Sequence, residues 1–541
     1  MTKRRGGTSL GFLALLTAAP ALGAEGVLFP GPSLATSTGG GIAIIKAQAP
    51  AADAGTAPAA NPSRPDEDAL FGGGPTPSNR PSEDALFGGG PSADAADAGA
   101  AATVSTGNSR DDEALRGGGQ SKFDTGDEKS DPLRIGGTLY LRGQASITEG
   151  TPFGENAFSA PMLIDNYLDA RPSDRVRGFV LGRLRYDPTL VASNTTLGAP
   201  GLGAQGAQNP AVSLDQLWLR FDIAQRIYFT VGRQKVRWGV GKLWNPTDFL
   251  NQTPRDPLAP FDLRPGINAV KVHVPIESLG WNFYGLGLLD NAGPANIIGN
   301  LGGALRAELL IWKAELGLSG VWVNKRTPRY GIDLSMPIGP IDIYGEVAFR
   351  SARDFHKWRF TQDFDQIDWS NPIAAIEDYR ESGITIQTTG GVSFSFNYTD
   401  TTTLTIGAEY FYNRPGYTNP ALHPWLLYTG EFTPLYLGQH YVGLFVLAPG
   451  LPGNLNWITL TLTGLMNVSD PTGIVRLDAF FRVLTFLSIE VFGAVNFGVK
   501  GGEFRFGLNI PPLPLPDGSE TPEFKIPYSA GSFGLGLRLS I

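Results

Sequence analysis

The chain has no cysteine, only four histidines and four methionines, and no apolar run of the roughly 20 residues that a membrane-crossing helix needs. Without cysteine there is no disulfide framework, thiolate metal site, thiol nucleophile or lipid-anchored N-terminal cysteine. His273, His356, His423 and His440 are scattered, and none has metal-ligand spacing. A surplus of positive charge is missing too. The 43 basic and 51 acidic residues leave a net charge of −8, which argues against nucleic acid as a partner. Gly239-Val240-Gly241-Lys242 lacks the spacing of a phosphate loop. No catalytic constellation is legible, and no cofactor or metal is expected.

What the chain does have is unevenly distributed. Lys3, Arg4 and Arg5 precede an apolar stretch from Leu10 to Leu16, followed by the small residues of Ala21-Leu22-Gly23-Ala24. This pattern predicts a secretory signal peptide over 1–24. From 25 to 130 the chain is Ala, Gly, Pro, Ser and Asp with few bulky apolar residues, too few to offset chain entropy, so a disordered leader is expected. Inside it, Asp68-Ala69-Leu70-Phe71-Gly72-Gly73-Gly74 is repeated as Asp84-Ala85-Leu86-Phe87-Gly88-Gly89-Gly90, with a degenerate third copy from Arg110 to Gly119. These repeats read either as docking motifs for a periplasmic partner, with avidity from several copies, or as a duplicated linker.

From 131 to 541 the texture changes to alternation. Val176, Val180, Leu184 and Tyr186 alternate with Arg177, Phe179, Arg183 and Arg185, and Ile458-Thr459-Leu460-Thr461-Leu462-Thr463 is pure alternation. Successive strand side chains point to opposite faces, so each such stretch is a strand with one greasy and one polar face. Counting predicts an all-β fold: a transmembrane antiparallel up-and-down β-barrel of about 16–18 strands of about 10 residues each. Tight turns near 222–226, 275–279, 337–340 and 397–402 interleave with long segments at 189–211, 239–266, 351–383 and 413–439. Short turns at one rim and long loops at the other suit that architecture.

Three points stay open in the sequence. One more strand is needed before Val176, near 156–169; the status of 502–509 is undecided; and Ile227, Phe229, Val231, Arg233, Lys235 and Arg237 share one parity, so the stretch 226–238 needs a bulge or an exit from the sheet. Trp218, Trp238, Trp281, Trp312, Trp322 and Trp457 lie near expected strand ends, where aromatic girdles belong.

In Ser532–Ile541, Phe533, Leu535, Leu537, Leu539 and Ile541 take one face, and Ser532, Gly534, Gly536, Arg538 and Ser540 the other. This segment resembles the closing strand of bacterial outer-membrane β-barrels. A second resemblance rests on Gly232-Arg233-Gln234, Trp238-Gly239 and Asn245-Pro246-Thr247-Asp248. It is similar to a group of large proteobacterial porin-like proteins, and implies a channel-forming outer-membrane protein without implying a substrate. Read from the residues alone, Asn245, Pro246, Thr247 and Asp248 form a strong turn signal. They predict either a loop folded into the pore as a constriction or a well-packed structural corner.

The faces opposite the greasy ones carry charge. On early strands these are Arg134, Arg142, Arg177, Arg183, Arg185 and Arg220; later come Glu308, Glu315, Asp342, Glu346, Glu409, Asp478 and Glu490. An Arg or Lys facing lipid costs about 2–4 kcal/mol at the midplane, so these faces are expected to line water. The expectation is of separate basic and acidic walls, resembling the transverse field of general diffusion porins. The acidic trio Asp363, Asp365 and Asp368 reads as a solvated loop in preference to a Ca²⁺ site. The function expected is passive diffusion of small hydrophilic solutes. The alternatives are a non-conducting structural or assembly barrel whose leader binds cell wall or a partner, and a barrel enzyme. The partners expected are outer-membrane lipid and lipopolysaccharide and the barrel-assembly machinery, with oligomeric state open.

Overall fold

The computed structural model describes residues 132–190, 209–259, 261–289, 297–362, 375–398, 402–453, 455–510 and 524–541. The expected signal peptide, the leader with its repeats, and Asp363, Asp365 and Asp368 lie outside the described residues.

Eighteen strands close into one antiparallel barrel. The first six are β1 (Leu133–Thr148), β2 (Met162–Ser173), β3 (Val176–Tyr186), β4 (Ala211–Ile223), β5 (Ile227–Gln234) and β6 (Ile267–Ile276). The next six are β7 (Trp281–Leu288), β8 (Gly302–Ile311), β9 (Ala314–Val323), β10 (Arg329–Ile338), β11 (Ile341–Ser351) and β12 (Ile384–Asn397). The last six are β13 (Thr403–Asn413), β14 (His440–Pro449), β15 (Ile458–Asn467), β16 (Thr472–Arg482), β17 (Leu487–Gly498) and β18 (Ser529–Ser540). Each strand pairs with its neighbours in sequence, and β18 pairs back onto β1 from Thr138↔Ser540 to Thr148↔Ser529. Closure leaves no bare sheet edge. A short strand, Ala157–Ser159, extends the sheet beside β1. Two small hairpins stand apart from the wall: Lys357–Phe360 with Ile376–Tyr379, and Leu508–Ile510 with Phe524–Ile526.

These strands resolve the open points. The strand needed before Val176 is β2, set a few residues later than expected. Residues 502–507 form no strand, and Leu508–Ile510 belongs to a hairpin. The awkward stretch 226–238 leaves the sheet after Gln234, so Lys235 and Arg237 sit in a loop and never face lipid. Connections such as 174–175, 224–226, 312–313 and 339–340 are short at one rim, whereas 235–266, 352–383, 414–439 and 499–528 are long at the other.

The faces sort by parity. Leu217, Leu219, Leu305, Ile332, Leu334, Leu444, Leu462 and Leu535 are exposed on the outside, while Arg142, Asp169, Arg183, Arg306, Asp333, Glu346, Glu409 and Glu490 are buried on the inside. A continuous apolar surface of this extent marks a contact with membrane or protein. The tryptophans split. Trp312, at 97% exposure, and Trp322 and Trp457 stand outside near the rims. Trp218 and Trp238 are buried inward, contrary to the girdle expectation. Trp218 shares its parity with Gln216 and Arg220, and Trp238 lies past the end of β5.

The small face of β18 has a packing reason. Side chains at Gly534 and Gly536 would collide with Phe492, Tyr140 and Glu490. The glycines let β1 and β17 meet across β18, where the Tyr140 hydroxyl donates to Glu490 and the Arg142 guanidinium lies 4.1 Å from the Phe492 ring centroid.

Candidate functional site: a loop bolted across the lumen

After Gln234 the chain turns into the barrel and does not rejoin the wall until Ile267. Its tip is anchored to the opposite side by two carboxylates. Glu409 on β13 accepts backbone N–H groups from Lys242 (2.8 Å), Leu243 (3.1 Å) and Trp244 (2.7 Å), and the Tyr344 hydroxyl at 2.9 Å. Glu346 on β11 accepts from Val240 N–H (3.0 Å) and the Thr247 hydroxyl (2.7 Å). Successive N–H groups converging on one carboxylate make an anion nest. Gly239 is required at the approach: its φ is +95°, and a side chain there would strike Glu346 and Thr247. Lys242 Nζ donates to Ser393 Oγ at 2.8 Å and lies 5.4 Å from the Tyr344 ring centroid.

Packing reinforces these bonds. Leu243 and Trp244 are fully buried among Phe411, Tyr441, Phe445, Leu447 and Leu465 of β13–β15. The indole N–H of Trp244 donates to Leu435 O at 3.0 Å. The returning arm reaches the first strands: Phe261 meets Tyr140 edge-on, and Arg183 donates to Leu263 O.

The four turn residues form a corner that is bonded to the inner wall of the barrel. Asn245 and Asp248 hold the corner itself, through Asn245 Nδ2 to Gly241 O (2.7 Å) and Asn251 Nδ2 to Asp248 (2.8 Å). Pro246 and Thr247 tie it to the wall, with Arg350 Nη2 donating to Pro246 O at 3.0 Å and Thr247 donating to Glu346. The corner is well packed, and it is packed inside the lumen.

The separate basic and acidic walls are not there. The register sets Asp165 directly opposite Arg183, which donates to it through two 2.8 Å bonds and reaches Asp215 at 3.3 Å. Arg177 is bidentate on Asp169, at 2.8 and 3.0 Å. On the supposedly acidic wall, Arg306 binds Asp333 at 2.7 and 2.9 Å and Glu308 at 2.8 Å. Asp333 and Glu346 face each other in register, a like-charge pairing that is destabilising unless compensated. Arg306 compensates one member, and Val240 N–H and the Thr247 hydroxyl of the loop solvate the other. Partners on adjacent strands mix the signs, and single-strand parity cannot reveal that. Of the remaining candidates, Arg142 is buried against Phe492, and Arg220 lies 5.3 Å from the Trp218 ring centroid. Arg185, Glu315 and Asp342 point inward and are partly exposed.

Three further long loops, 352–383, 414–439 and 499–528, meet at the same end. Glu503 accepts from Leu435 N–H, the Tyr441 hydroxyl (2.7 Å) and Asn467 Nδ2 (2.7 Å), and burial pushes its carboxyl up to about 7. His356 bridges Glu431 (2.8 Å) and Asp378 (2.7 Å), whose hydrogen bonds raise its pKa. Both groups hold protons more tightly folded than unfolded. Their contribution is therefore present at low pH and lost as pH rises through the folded pKa. His423 is buried against Gly501 O with its pKa lowered by desolvation, and it opposes this effect once pH falls below its ordinary value of about 6.5. Limited proteolysis of the loop crown is accordingly expected to slow as pH drops from about 8 to about 6.5. His356→Ala together with Glu503→Gln should flatten that dependence, and a profile unchanged in the double variant would refute the assignment.

Among the described residues no helix is long and apolar enough to cross a membrane, and no group of three metal-ligating side chains converges. No family model matches the chain, and no curated protein does. Among solved structures it is similar to engineered variants of the porin from Rh. blastica. One is a five-substitution variant at 10% identity and a TM-score of 0.36; another is a triple mutant at 10% identity and 0.34. Each alignment covers 76% of this chain and 100% of the other. A likeness this distant carries no inference about what this barrel does.

Proposed function

We propose that this protein is an outer-membrane channel for passive diffusion of small hydrophilic solutes, with loop 235–266 as its constriction. The observation that carries the reading is a polar, charge-lined lumen enclosed by an apolar exterior and narrowed by a loop fixed to the far wall. The porin-like text around Gly232–Asp248 supports the same reading. In this arrangement the long loops face outward from the cell, the short turns and the leader face the periplasm, and the barrel-assembly machinery inserts the chain. One feature favours a second reading, a non-conducting structural barrel: the cluster around Trp244 is apolar and closed to water.

Planar-bilayer recording of the purified, folded protein decides between them. Discrete channels are expected, whereas silence across independent preparations favours the structural barrel. The same recordings read selectivity. Changing Arg183 and Arg185 together to Gln removes the cation paired with Asp165 and leaves Asp215 to Lys235 alone, so permeability should shift toward cations. The shift should be greatest at low salt, where screening over about 10 Å at 0.1 M is relaxed. An unchanged reversal potential would place both arginines away from the ion path.

A further inference from the structure

At the long-loop end a cavity of about 290 Å³ lies between the constriction loop and the inner faces of β7, β9, β10 and β11. Its charged lining is of one sign: Arg326, Arg329 and Arg350 border it, and no carboxylate does. Asp354 meets Arg329 only at 4.0 Å and is itself occupied by the Thr327 hydroxyl at 2.6 Å. Arg350 spends Nη2 on Pro246 O, while its Nε is shut away from solvent with no hydrogen-bond partner. By contrast, Arg183 and Arg306, also in this lumen, are each matched by carboxylates. The remaining lining is mixed: Leu250, Leu288, Val321 and Val323 form an apolar side, with Phe249 beneath the Arg350 guanidinium at 5.1 Å, and Asn251, Gln252 and Thr327 supply neutral polar groups.

We propose that this cavity is a binding site for a small organic carboxylate, held on the pore path just outside the constriction. Guanidinium forks match a planar carboxylate bidentately and bind it by charge-assisted hydrogen bonds. Valine and leucine walls take an apolar body that a sugar or an inorganic ion does not possess. The volume is at the small end for ligand sites, about 300–1,000 Å³, which limits the body to roughly one ring or a short chain. The inference deepens the channel reading by naming a solute class.

Isothermal titration of the full-length protein, folded in detergent, tests it with benzoate, benzyl alcohol and inorganic phosphate. Benzoate should bind saturably, and benzyl alcohol and phosphate about ten-fold more weakly or worse, because one lacks the charge and the other the body. Arg326→Gln, an exposed rim position, should weaken benzoate binding several-fold, and Arg326→Gln with Arg329→Gln by about ten-fold or more. Heat-modifiable mobility on gels reports whether each variant is folded. Equal affinity for benzoate and benzyl alcohol, or for benzoate and phosphate, overturns the proposal, as does unaltered benzoate binding in the folded double variant. Benzoate binding by a barrel that does not conduct sustains the site and overturns the channel. Conductance without benzoate binding does the reverse.

Discussion

Glu409→Ala is expected to raise single-channel conductance roughly two-fold or more, with noisier open states, because it strips loop 235–266, the proposed constriction, of its main anchor. The carboxylate accepts three consecutive backbone N–H groups and a tyrosine hydroxyl at the loop tip. A buried donor left without an acceptor costs about 1–3 kcal/mol, so the tip does better to swing away and let water reach those groups. Glu346, which accepts from Val240 N–H and the Thr247 hydroxyl, keeps a second attachment, which makes loosening the expected result and full release unnecessary. Glu409→Gln retains a carbonyl acceptor and should fall between the wild type and Ala. Conductance of the Ala variant equal to the wild type would mean that the loop does not limit the pore.

Arg306→Ala is expected to destabilise the barrel by about 3–5 kcal/mol, the usual result of removing one side of a buried ion pair. Arg306 is almost wholly enclosed, with side-chain exposure of 1%, and Asp333 is equally so. The variant would leave Asp333 facing Glu346 in register with no cation between them. Removing Asp333 as well, as Arg306→Met with Asp333→Leu, should recover much of the loss, since a matched apolar pair avoids the unpaired charge. Urea-driven unfolding in detergent, followed by heat-modifiable mobility, measures both. A single variant as stable as the wild type would show that water already reaches this pair.

Much of the wall was legible because alternation is a local property. Parity alone told that Arg183, Glu346 and Glu409 turn inward and that Leu535 and Leu537 turn outward, and the structure has them so. The partners of those charges were not legible. Asp165 belongs to the strand hardest to place in the sequence, and its position opposite Arg183 follows from a register fixed by the whole barrel. The turn chemistry of Asn245–Asp248 announced a corner but not its location, since nothing local says that Glu346 waits 99 positions away from Thr247. Trp218 and Trp238 misled for a related reason: proximity to a strand end does not tell which side of the wall a ring occupies.

The seam between β1 and β18 has a consequence for how the barrel comes into being. Thr138 and Ser540 are 402 positions apart, yet they are neighbours across it. Loop-closure entropy grows as the logarithm of length, so joining such distant ends costs only about 5 kcal/mol more than joining adjacent residues. Time is the scarcer quantity, because contacts between remote residues form slowly. Until the last strand arrives, the other seventeen are a curled ribbon with two bare margins, each able to capture a margin of another nascent copy. Synthesis interrupted before Ser529 should therefore yield cross-paired aggregates in place of smaller barrels.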